Sequence, residues 1–136
     1  MNSNEKNAQR FTGFAEVYEK ARPSVPLYPV RVICSYLGKK PEVVVDLGCG
    51  TGLSTTVWES AADRVVGIEP SGDMIAIARQ KTCENAEFIQ AYADNTTLPD
   101  NFADVAVCSQ SFHWMEPVAV NTLVTILMKA LRGFCF

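Results

Sequence analysis

The stretch Val43-Val44-Val45-Asp46-Leu47-Gly48-Cys49-Gly50-Thr51-Gly52-Leu53-Ser54 constrains the fold more than any other. An apolar, β-branched run stops at an acid and empties into a loop with glycine at every second position. A run like Val43 to Leu47 suits a strand buried on both faces of a parallel sheet. The glycines permit positive φ and remove the side chains that would hold a ligand off the backbone. From Leu53 the chain reads as a helix, whose first turn points unpaired N–H groups and a partial positive charge at the loop. This arrangement is the front end of a nucleotide-type cofactor site.

The spacing separates the cofactor classes. A dinucleotide fingerprint is G-x-G-x-x-G, and its third glycine would fall at Leu53. The pattern here is D-x-G-x-G-x-G. It resembles motif I of the class I S-adenosylmethionine-dependent methyltransferases, an acid followed by Leu-Gly-Cys-Gly-Thr-Gly.

Taken in order, residues 1–6 form a polar end, and Phe11, Phe14, Ala15 and Tyr18 make a helical apolar stripe. Pro23 and Pro26 break that helix. A second helix is expected at Leu27–Leu37, stopped by Gly38. After the valine strand come a helix near Leu53–Ala62, a strand Arg64–Glu69 and a helix Met74–Lys81. Two further strands are expected at Glu87–Ala91 and Ala103–Cys108, and Glu116-Pro117 opens a last helix. Alternating strand and helix predict an α/β chain with a Rossmann-like, doubly wound parallel sheet and right-handed crossovers.

At 136 residues and 48% hydrophobic content, one domain is expected, with residues 1–40 as a helical cap and 41–136 as the α/β core. A net charge of −3 without a basic stripe argues against nucleic acid as an obligatory partner. The five scattered cysteines make no C-x-x-C pair, so reduced thiols in a cytoplasmic protein fit better than disulfides or a metal site. The first residues lack the apolar region of a secretory signal, and Val118 to Leu131 is too short and interrupted to span a membrane.

The resemblance runs over roughly residues 11–115. Glu69 ends the second strand about 20 residues beyond the glycines, where an acid is placed to accept both ribose hydroxyls. Ala91-Tyr92-Ala93-Asp94 is similar to the family segment whose acid binds the adenine amino group. Phe102-Ala103-Asp104-Val105 through Phe112-His113-Trp114 is similar to its strand ending in an A-x-H-W-type sequence. Phe14 to Tyr18 and Ala21-Arg22-Pro23-Ser24 look like the N-terminal cap of small-molecule enzymes related to the trans-aconitate and ubiquinone/menaquinone-biosynthesis methyltransferases. The resemblance implies S-adenosylmethionine as cofactor and a small-molecule methyl acceptor. It implies that Gly48, Gly50 and Gly52 pack on the methionine part and that Asp46 faces its ammonium. Tyr18 and Arg22 close over the carboxylate, and Cys49, Pro70, Ala93 and Ser109 complete the set.

Structural readings stand beside these. Glu69 could be a solvated strand end, and Asp94-Asn95-Thr96 would also suit an Asx turn. His113 is the sole histidine; a general-base role is weighed against packing on Trp114. Phe112 and Trp114 could line the pocket or pack in the core. The family's sheet has strand order 3-2-1-4-5-7-6, and only four strands can be placed here. A fourth strand without a neighbour would expose Val105-Ala106-Val107, favouring pairing with another chain and hence a homo-oligomer. The main alternative to the enzyme is a truncated, non-catalytic binding remnant. A weaker one is an NAD(P)-dependent Rossmann oxidoreductase.

Overall fold

The computed structural model describes Glu5, residues 26–81, residues 83–108, Val118, and the backbone of Phe134 and Cys135. Helix α1 (Tyr28–Leu37) is followed by β1 (Val43–Leu47), a short α2 (Leu53–Thr56), β2 (Arg64–Glu69) and α3 (Gly72–Ala78). Strands β3 (Ala86–Gln90), β4 (Val105–Val107) and β5 (Phe134–Cys135) complete the described elements. All pairings are parallel, in the order β3-β2-β1-β4-β5.

The strands alternate their side chains between two packed faces, as period 2 requires. Val45, Leu47, Val66, Ile68 and Ala106 build one core, with Leu98 and Phe102 packed against it. Val44, Val65, Val105 and Val107 build the other, with Val30 of α1 and with Trp58 and Ala62. Complete burial of each such aliphatic side chain is worth about 1.5–3 kcal/mol relative to exposure. Burial on both faces lets β1 carry Val43-Val44-Val45 and β2 carry Val65-Val66 in succession, where a half-exposed strand would alternate apolar with polar residues.

Three expectations change. The helix expected to reach Ala62 ends at Thr56. Thr55, Thr56 and Val57 are β-branched, and the chain tightens into i→i+3 bonds from Trp58 N to Thr55 O (3.2 Å) and Glu59 N to Thr56 O (3.1 Å). The fourth strand is three residues long, not six. A fifth strand also exists: Ala106 and Val107 pair with Phe134 and Cys135. The edge left open in the four-strand reading is therefore occupied, and the expected homo-oligomer loses the bare strand on which it rested.

A buried carboxylate aligns β1 with β4. Asp104 Oδ2 accepts from the backbone N–H groups of Glu42 (2.9 Å) and Val43 (3.0 Å), while Asp104 N donates to Val43 O (2.9 Å). Asp104→Ala leaves both donors without this acceptor and is expected to cost about 2 kcal/mol, read as a lower urea midpoint. Asp104→Asn keeps one acceptor and should lose less.

Candidate functional site

The strand order places the carboxyl ends of β1, β2, β3 and β4 along one edge. After β3 the chain returns past β1 to form β4, so β1 lies at the point where the winding reverses. Crevices at such points are where open α/β sheets bind ligands. The glycine loop leaves β1 here. Gly48, Gly50 and Gly52 have φ of 69°, 57° and 88°, a left-handed geometry that side chains disfavour. The loop is moored to its neighbour because Ile68 O accepts from Gly48 N (2.8 Å) and Cys49 N (3.0 Å).

Close packing fixes the loop from behind. A Cβ on Gly52 would lie 3.0 Å from the Phe88 ring and 3.3 Å from Ala78 Cβ. One on Gly67 of β2 would lie 2.7 Å from Phe88 and 2.9 Å from Cys49 Sγ. Cys49 thus fills the small space between loop and sheet, buried with Ile75, Ala78 and Phe88. Burial, reinforced by the charges of Asp46 and Glu69, pushes its thiol well above the usual range. It is a packing thiol, not a nucleophile.

Glu69 is not a solvated strand end. Its Oε1 accepts from Gly50 N (3.1 Å) and its Oε2 from Ser71 N (2.8 Å). One carboxylate thereby joins the glycine loop to the start of α3, whose Ser71 side chain accepts from Met74 N. Each Glu69 oxygen retains acceptor capacity beyond these bonds. Burial raises its pKa; the two backbone bonds oppose that, and Asp46 adds to it.

Asp46 is fully buried, and its Oδ2 accepts from Ser54 Oγ (2.6 Å) and Thr55 Oγ1 (2.8 Å). It therefore binds the end of β1 to the first turn of α2. Pro70 and Ala93 are half-buried at the carboxyl edge, Ala93 against the core. Asp94 is exposed in the loop after β3, where Asn95 N donates to Tyr92 O (3.0 Å). Tyr18, Arg22, Ser109, His113, Phe112 and Trp114 lie outside the described residues. Sequence reasoning missed Ser54, Thr55, Ser71 and Gly67. The hydroxyls just after the loop and the Ser-x-x-Met start of α3 were usable signals, whereas the need for Gly67 arises only from Phe88 across the sheet.

These residues fit an adenosyl sulfonium cofactor. Glycines clear a backbone cradle that a Cβ at Gly52 would disturb, and a carboxylate stands at the second strand end. If Glu69 accepts from ribose hydroxyls, as the family resemblance implies, its ionised form accepts more strongly than its neutral one, so its raised pKa has a measurable consequence. Affinity for S-adenosylhomocysteine is expected to fall as pH drops through a window above the ordinary glutamate value, and Glu69→Gln should flatten that dependence in calorimetric titrations. Folding runs the opposite way. The fold favours protonated Glu69, so its contribution is fully present below the unfolded pKa and is lost as pH rises through the folded one.

Comparison with known proteins agrees with this geometry. The methyltransferase domain family matches residues 45–132, more than half of the chain. The Saccharomyces cerevisiae protein named "Probable S-adenosylmethionine-dependent methyltransferase CRG1" is 30% identical over 125 residues, covering 88% of this chain and 43% of that one. The chain spans less than half the length of the curated relatives it matches. The plantazolicin methyltransferase BpumL, solved in complex with a monoazolic desmethylPZN analog and SAH, superposes with a TM-score of 0.71 at 19% identity, over 93% of this chain and 55% of its own. The [4+2]-cyclase SpnF superposes with a TM-score of 0.64 at 23% identity, over 74% and 40%.

Proposed function

The chain belongs to the methyltransferase domain family, and on that premise we propose that it transfers a methyl group from S-adenosylmethionine to a small-molecule acceptor. The observation that carries this reading is the Glu69 carboxylate held against the glycine loop through Gly50 N and Ser71 N. When bound, the cofactor supplies a methyl group on a sulfonium, open to displacement in line by a nucleophile. What the protein contributes is position, since reacting atoms must sit at near-attack distance and aligned.

In this reading the cradle from Gly48 to Gly52 lies against the amino-acid end of the cofactor and Glu69 accepts from the ribose hydroxyls. Asp46 favours the ammonium by charge while its own orientation is held by Ser54 and Thr55. Pro70, Ala93 and Asp94 border the adenine side. Tyr18 and Arg22 close over the carboxylate, where a guanidinium offers a planar two-donor fork, and Ser109 completes the pocket. His113 takes the proton if the acceptor is a hydroxyl or an amine; its structural alternative is packing beside Trp114. Four cysteines among the described residues are free, which supports a reducing, cytoplasmic setting.

A cofactor-binding chain without methyl transfer is the second reading, because one fold can carry more than one chemistry. Two measurements decide. Calorimetric titration should show binding of S-adenosylhomocysteine and none of NAD; binding of NAD alone removes the proposal. Release of S-adenosylhomocysteine from S-adenosylmethionine in the presence of candidate hydroxyl, amine or carboxyl acceptors then separates enzyme from holder. Tight binding without release with any acceptor supports the holder.

A further inference from the structure

We infer that the outer face of α1 is a docking surface for a protein that presents an acidic helix. Inward, α1 packs on the sheet through Val30, Ile33, Cys34 and Leu37. Outward, Tyr28 is 73% exposed, Val32 47% and Tyr36 77%. These three follow one another at i, i+4 and i+8, so they form one stripe along the helix. The stripe sits on a backbone already held by the core, so an occupant need not order it. Tyrosines of this kind supply large contact area at little entropic cost and recur among interface anchors.

Charge selects the occupant. Residues 20–41 hold five of the twelve Lys and Arg residues and none of the fifteen Asp and Glu residues. Within the described part, Lys40 pairs with Asp63 (3.1 Å), while Arg31 and Lys39 beside the stripe are exposed. A second copy would set Arg31 and Lys39 against themselves, and like charges across an interface are strongly unfavourable. Two such cations are too few to hold the chain on an anionic bilayer or a phosphate backbone. An acidic helix with an apolar face matches both the stripe and its flanks.

The full chain, titrated by fluorescence anisotropy, tests this with a labelled helical peptide carrying leucines at i, i+3, i+4 and i+7 and glutamates on its flanks. A lysine-flanked counterpart serves as control. The glutamate peptide should bind at least about tenfold tighter, and more weakly as salt rises. Tyr36→Ser and Arg31→Glu should each weaken it at least about fivefold, with unfolding midpoint and S-adenosylhomocysteine affinity unchanged. Equal binding of the two peptides, or indifference to both substitutions, overturns the assignment. So does sedimentation with phosphatidylserine vesicles that Arg31→Glu abolishes, or a concentration-dependent dimer in light scattering that Tyr36→Ser dissolves.

Discussion

Glu69→Ala is expected to weaken S-adenosylhomocysteine binding by about 2–3 kcal/mol, roughly 30- to 150-fold. Part of the loss is the charge-assisted bond to ribose that the proposed function assigns to this residue. The rest is structural, because Gly50 N and Ser71 N both lose their acceptor. Calorimetry on the variant, alongside its urea unfolding curve, separates the two. Glu69→Gln refines the test, since an amide offers one oxygen and one NH2 group where two backbone donors converge. It should therefore lower stability as well as affinity. A variant that binds as tightly as the parent would remove Glu69 from the site.

The second large effect is expected at Gly52. Alanine there must adopt a φ of 88°, which costs about 1–2 kcal/mol. Its Cβ would also press on the Phe88 ring at 3.0 Å, and overpacking of that kind costs a further 1–3 kcal/mol or so. Together these predict a loss of about 2–5 kcal/mol in unfolding free energy and a loss of cofactor affinity. Gly38 provides the control. It caps α1 at a φ of 67°, with nothing within 4 Å of an added Cβ. Gly38→Ala isolates the conformational strain, and the difference between the two variants measures the contact with Phe88.

Much of this architecture could be read from local signals. The valine run, the acid at its end and the alternate glycines located β1 and the loop. The proline before α1 and Gly38 after it bounded that helix at Tyr28–Leu37, within a residue of the Leu27–Leu37 expected. The acid at Glu69 marked the end of β2, which the structure places there. What sequence could not convey was how residues far apart share one function. Asp104 matters because its carboxylate reaches the start of β1, and Gly67 because Phe88 arrives from the next strand. Two-residue β5 is too short for periodicity to register. The hydroxyls of Ser54 and Thr55 are committed to Asp46, a partner earlier in the chain.

The position of β1 between β2 and β4 bears on the order in which the molecule assembles. Val44 meets Val65 on one side and Val105 on the other. Closing the longer of these detours costs roughly 1 kcal/mol more chain entropy than closing the shorter. The β1-β2-β3 half, with its crossover helices, can therefore nucleate on near contacts and receive β4 afterwards. On that route the cradle and its carboxylate exist before the opposite wall arrives. A nascent chain could engage its small ligand while the remainder is still being made, and kinetic analysis should place Asp104 among the late contacts and Glu69 among the early ones.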